Sequence, residues 1–138
     1  MKDREYAVVV ARIVLGINIW AHGVVRVPSL NSFSEWMVGL YKDCILPLPL
    51  VQAWSYAVPF IELFLGGLLV IGLFSRNVLL ALGGYLAVLV LGSCLIQKWE
   101  WAAFQMIYAL FVSFLLYNLG YNGFSIDRLL DSRKEIIK

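Results

Sequence analysis

Charge is scarce in this chain, and so are the residues that hold metals. Only 14% of its 138 residues are Asp, Glu, Lys or Arg, whereas soluble domains carry roughly 25%; with 62% hydrophobic residues a solvated globular protein is excluded. The single histidine cannot supply the paired axial ligands of a membrane haem, and the two cysteines form no CxxC motif. There is no glycine-rich phosphate loop and no run of metal-ligand spacing, so neither haem nor metal is expected. A net charge of +2 gives no reason to expect nucleic acid as a partner. The class that remains is an integral membrane protein whose first partner is the lipid bilayer.

A membrane span needs about 20 mostly apolar residues. Four windows meet that length, at residues 6–25, 51–74, 78–97 and 101–119. The first starts close to the amino terminus and lacks a small-residue cleavage site, so it reads as a retained helix and not as a signal peptide. Short connections predict an all-α polytopic protein, a single domain built as a compact four-transmembrane-helix bundle. Gly16, Gly66, Gly67, Gly72, Gly83, Gly84, Ala87 and Gly92 would let its helices approach closely.

The basic residues suggest an orientation. With both termini inside, the cytoplasmic side collects Lys2, Arg4, Arg76, Arg128, Arg133, Lys134 and Lys138, against Arg26, Lys42 and Lys98 outside; the bias favours cytoplasmic N and C termini. Trp20, Trp36, Trp54, Trp99 and Trp101 would form an aromatic belt at the outer interface. In the long connection after the first span, Ser32 and Glu35 have capping-box spacing, and Phe33, Trp36, Met37, Leu40, Tyr41 and Cys44 share one helical face. An interfacial amphipathic helix over residues 33–44 is predicted, ended by Pro47 and Pro49 and serving either as a cap on the bundle or as a lid. Cys44 and Cys94 both fall toward the outer side. They are free packing cysteines unless their Cα atoms lie within about 7 Å, close enough for a disulfide.

Ionisable groups inside a span ask for an explanation, because each costs about 2.5–3.5 kcal/mol at the bilayer centre on insertion scales. Glu62 is one, just past a kink expected at Pro59; Arg12 and His22 are the others. Helical rise places Arg12, Asn18 and His22 at about 10, 19 and 25 Å from the cytoplasmic edge, Glu62 at about 18 Å, and Gln105 and Tyr108 at about 24 and 20 Å. Two readings of this layer are open. In one, Arg12 and Glu62 form a buried ion pair, with Asn18 and Gln105 as interhelical hydrogen bonds. In the other, His22 and Glu62 exchange protons with an apolar redox ligand in a pocket completed by Arg12, Asn18, Trp20, Gln105 and Tyr108, with Phe104 as a further wall. A quinone needs that combination of donors, proton route and aromatic surface.

Three segments resemble one known family. ARIVLGINIWAHGVVRV at 11–27, FIELFLGGLLVIGLFSR at 60–76 and GYNGFSIDRLL at 120–130 are similar, in order, to motifs of the DoxX family. The resemblance implies a four-helix protein of the bacterial or archaeal inner membrane, related to the small membrane subunit of thiosulfate:quinone oxidoreductase. It also implies quinone-linked chemistry with partner membrane or redox subunits. Arg12, His22 and Glu62 match the family's polar positions, while Arg26 stands where a lysine is commoner. Where many members have a histidine near the outer end of helix three, this chain has Gln97 and Lys98. The alternative role is a non-catalytic assembly or anchoring subunit of a larger membrane complex.

Overall fold

The computed structural model describes residues 2–136 and, within them, the side chains up to residue 132. Among the described residues the chain is helical, with no strand. Four helices are long and apolar enough to cross a membrane: α1 (Lys2–Arg26), α3 (Leu48–Ile71), α4 (Ser75–Leu95) and α5 (Trp99–Tyr117). A shorter helix, α2 (Leu30–Tyr41), follows α1 through a 3-10 turn, and α6 (Ile126–Ile136) closes the chain. Both termini lie at one end of the bundle. There Arg4 bonds to the Asn118 side chain, Tyr6 stacks on Phe124 and Glu5 pairs with Arg128.

Glycine sets how the first two spans pack. A Cβ on Gly66 would strike the backbone of Trp20, one on Gly23 would come within 2.7 Å of the Pro59 carbonyl oxygen, and one on Gly16 within 2.9 Å of the Val70 backbone nitrogen. α1 and α3 therefore meet backbone to backbone, as small residues permit where lipid gives no hydrophobic drive to helix association. Leu15, Ile19, Val58, Leu69, Leu82, Leu86 and Leu115 fill the middle of the bundle, while Val10, Phe64, Leu80, Leu91, Phe104 and Leu110 face outward.

Helix ends differ from the hydropathy windows for local reasons. α3 starts at Leu48 because Pro47 is extended and Pro49 sits in the first turn, where its missing N–H would have had no partner anyway. It stops at Ile71 because Gly72 is left-handed: Gly72 N–H bonds to Leu69 O and Leu73 N–H to Leu68 O, a Schellman cap. The capping box expected in the connection does not form. α2 begins at Leu30, before Ser32, and its N-cap Ser29 makes no side-chain cap bond; the chain enters it directly from the preceding helical turn and has no free first turn for Ser32 to cap. The helix ends at Tyr41, so Cys44 lies beyond it, and Cys44 and Cys94 are half-buried free thiols.

Candidate functional site

At the end of the bundle opposite the start of α1, the helices surround a partly open chamber of about 150 Å³. Its position follows from α2, whose residues Phe33, Trp36, Met37, Leu40 and Tyr41 form one wall. Trp36 meets Trp101 of α5 at 5.9 Å between ring centroids, and the Ser34 hydroxyl accepts a 2.7 Å hydrogen bond from Ser55 of α3. The apolar stripe expected on this helix is thus turned inward onto the bundle.

The chamber's polar centre is Glu62, only 4% exposed. Arg26 donates from Nη1 to both of its carboxylate oxygens, at 2.6 and 2.7 Å, and the Tyr85 hydroxyl donates to Oε1 at 2.8 Å. Two donors and a full counter-charge offset the water that a buried carboxylate gives up. The guanidinium also lies over the Phe33 ring at 4.8 Å.

His22 lines the same chamber, half-buried. Its Nδ1 is 2.6 Å from the Asn18 carbonyl oxygen; a carbonyl only accepts, so Nδ1 carries the proton and Nε2 of the neutral ring is an acceptor. Gln105 lines the chamber too, exchanging hydrogen bonds with Ser93 at 2.9 and 3.1 Å. Tyr108 and Tyr41 complete the lining, and neither hydroxyl has a hydrogen-bond partner among the described residues.

Four of the residues expected at the site are therefore together: His22, Glu62, Gln105 and Tyr108. Four are elsewhere. Trp20 is 44% exposed, its backbone packed on Gly66 and its indole beside Gly67 of α3, and Phe104 points outward. Asn18 reaches the site only through its carbonyl; its side-chain Nδ2 is buried without a hydrogen-bond partner.

Arg12 is the larger correction, for it neither pairs with Glu62 nor lines the chamber. It is 3% exposed near the terminal end, donating from Nη1 to Asn122 Oδ1 at 3.0 Å and from Nη2 to the Phe124 carbonyl at 2.6 Å. Asn122 in turn donates to Ser75 Oγ, and Asp127 accepts from the Phe74 and Ser75 N–H groups at 2.7 and 2.8 Å. These bonds tie α1, the α3–α4 turn and the C-terminal segment into one knot, and they cap α4 at Phe74, a non-glycine residue with φ of 51°.

The expected heights failed for a related reason. The first two turns of α1 pack on the C-terminal segment and extend beyond the end of α3, so equal distances from the two helix ends do not mean equal depth. Gly23 faces Pro59 and Leu63, which sets Glu62 level with His22 and not a full turn deeper. His22 and Glu62 thus face the chamber at one level.

Arg26 and Tyr85 were missed. Arg26 lies four residues after His22, on the same helical face, but the hydropathy window stopped one residue short of it. Tyr85 stood in a span without charge, and a tyrosine mid-span wants a partner for its hydroxyl.

A larger concavity of about 590 Å³ lies between the start of α4 and the C-terminal segment. Its Asn122, Ser125 and Asp127 are already engaged in the knot, so the smaller chamber is the better candidate despite its size.

No curated protein and no solved structure matches the chain. The DoxX family model matches residues 7–93, a stretch that takes in most of α1, all of α2 and α3 and nearly all of α4, with His22, Arg26, Glu62 and Tyr85, and that ends before the GYNGFSIDRLL segment. With well over half of the chain inside that match, and four spans around it, the protein belongs to the DoxX family.

Proposed function

We propose that this protein is the membrane subunit of a quinone-linked redox system and that the chamber receives the quinone ring. The observation carrying this reading is the chamber itself, a partly open space in an apolar bundle whose wall joins His22, Glu62, Tyr85, Gln105 and Tyr108. A cavity of about 150 Å³ is the size that holds one benzene ring. The free hydroxyls of Tyr108 and Tyr41 are donors for quinone carbonyls, Trp36 and Trp101 are walls for the ring, and His22 and Glu62 are the groups able to exchange protons with it. Reducing a quinone to a quinol takes two electrons and two protons; the electrons come from a partner redox subunit.

The basic-residue bias supports cytoplasmic termini, and the family resemblance supports a bacterial or archaeal inner membrane, with the chamber in its outer half. A reporter fused after Lys138 should then be active only as a cytoplasmic fusion.

The competing role, a non-catalytic anchoring subunit, is favoured by one feature: the buried Asn18 amide without a partner beside a groove on the outer side of α1. Purification in mild detergent separates the two. A co-extracted lipid-soluble quinone supports the redox role, whereas stoichiometric partner proteins without it support anchoring. Within the redox reading, His22→Gln keeps a hydrogen-bonding group that cannot titrate. It should leave thermal stability nearly unchanged and abolish quinone-dependent turnover.

A further inference from the structure

Between α3 and α4 the outer surface of the bundle carries a second concavity, an open cleft of about 530 Å³. Its lining runs from Trp54 to Leu65 along α3, about 16 Å at helical rise, which is roughly half the hydrocarbon thickness of a bilayer. Phe60 and Phe64 stand along one side, and on α4 Ala81 and Gly84 leave the floor low. A Cβ built on Gly84 meets nothing within 4 Å. The cleft is long, open and apolar, a shape that suits a linear chain.

Tyr85 is the residue that this cleft and the chamber share. It lines both, its hydroxyl bonding to Glu62 on the chamber side at 2.8 Å and its ring meeting Trp54 of the cleft at 6.1 Å. The chamber holds no more than one ring, so whatever else a ligand carries must lie outside it.

We infer that the α3–α4 cleft takes the linear apolar tail of the same molecule whose ring enters the chamber, with Tyr85 at the junction; this rests on the quinone reading above. Lipid tails are as apolar as the cleft, so burial alone gives a tail no advantage there over the bilayer. The advantage comes from tethering, since a ring held in the chamber makes tail binding intramolecular and raises its effective concentration. The cleft thereby selects ligands with an isoprenoid-like chain over tailless rings.

The test uses the whole protein in lipid nanodiscs with two probes, a tailless benzoquinone and the same ring bearing an isoprenoid chain. Binding is followed by quenching of tryptophan fluorescence and expressed per mole fraction in the lipid, so that partitioning cancels. The native protein should prefer the tailed probe by at least about tenfold. Gly84→Leu sets its Cβ in open space and fills the cleft; it should remove that preference and leave the tailless probe's affinity unchanged, while Leu110→Phe on the far surface changes neither. Ala81→Leu, filling the same cleft one turn away, should repeat the result and guards against a folding defect in the first variant. A preference that survives both fillings, or a native protein without one, overturns the tail site while leaving the chamber reading in place. If the native protein binds neither probe, the quinone reading falls and this inference with it.

Discussion

Arg26 and Glu62, thirty-six residues apart, meet through a single nitrogen, with Nη1 at 2.6 Å from one carboxylate oxygen and 2.7 Å from the other. The pair is lopsided in burial: the Glu62 side chain is 5% exposed and that of Arg26 28%. Removing either partner therefore has different consequences. Arg26→Met strands a carboxylate inside the bundle, whereas after Glu62→Met the long arginine can snorkel toward water. We expect Arg26→Met to destabilise by up to about 3 kcal/mol and Glu62→Met by clearly less, with much of the loss recovered in the double variant. Thermal unfolding of the four proteins in detergent gives the coupling, and simple additivity would mean that the pair is not energetically linked.

Tyr85→Phe removes one hydroxyl and one charge-assisted hydrogen bond. The ring stays to pack against Trp54, so the fold should persist with a loss of about 1.5–3 kcal/mol. In an Arg26→Met background the same change should be worse than in the native protein, because Glu62 then loses its last side-chain donor. An unchanged melting temperature for Tyr85→Phe alone would show that this hydrogen bond carries no net stability.

Glycines in this chain should divide sharply by location. Gly66→Ala drives a methyl into the Trp20 backbone, which cannot yield without separating α1 from α3, so a loss of at least about 2 kcal/mol is expected. Gly120→Ala has open space around it and should be tolerated. Expression levels and melting temperatures of the two variants give the comparison; equal behaviour would refute the close α1–α3 contact.

The terminal knot predicts a structural and not a catalytic role for Arg12. Arg12→Met should lower stability and expose the C-terminal segment to protease while leaving chamber ligand binding intact. Gly72→Ala should do likewise, because its φ of 69° disfavours a side chain and its Cβ would collide with Arg12 and Ser125. Loss of binding at full stability in Arg12→Met would return this residue to the site.

Asp127 gives the knot a pH dependence. Burial pushes its carboxyl up, but bonds from the Ser75 side chain and from the Ser75 and Phe74 N–H groups, with the Arg12 charge, outweigh that and hold it below the usual carboxylate range. A depressed folded value means stability that is fully present above the unfolded pKa, about 3.9, and is lost as pH falls through the lower folded value. The stability margin of the native protein over Asp127→Asn should thus be constant from neutral pH to about 4 and shrink below that. A margin that grows on acidification would reverse the sign and refute the capping role.

Four spans, and with them a bilayer as solvent, were legible from hydropathy because lipid demands long apolar runs whatever the tertiary contacts. The inward stripe of α2 was legible too, since Phe33, Trp36, Met37, Leu40 and Tyr41 repeat at helical spacing. So was the importance of Glu62, as a charge without a local reason. Its partner was not. Choosing between Arg12 and Arg26 needs the relative height of α1 and α3, and that is set by glycine contacts between helices and by α1 reaching past α3 onto the C-terminal segment. One turn of offset moves a side chain by about 5.4 Å, enough to exchange one arginine for the other. Sequence alone determined that a carboxylate had to be neutralised inside this membrane protein; only the packing of α1 against α3 decided that Arg26 does it, and that Arg12 holds the terminal end together.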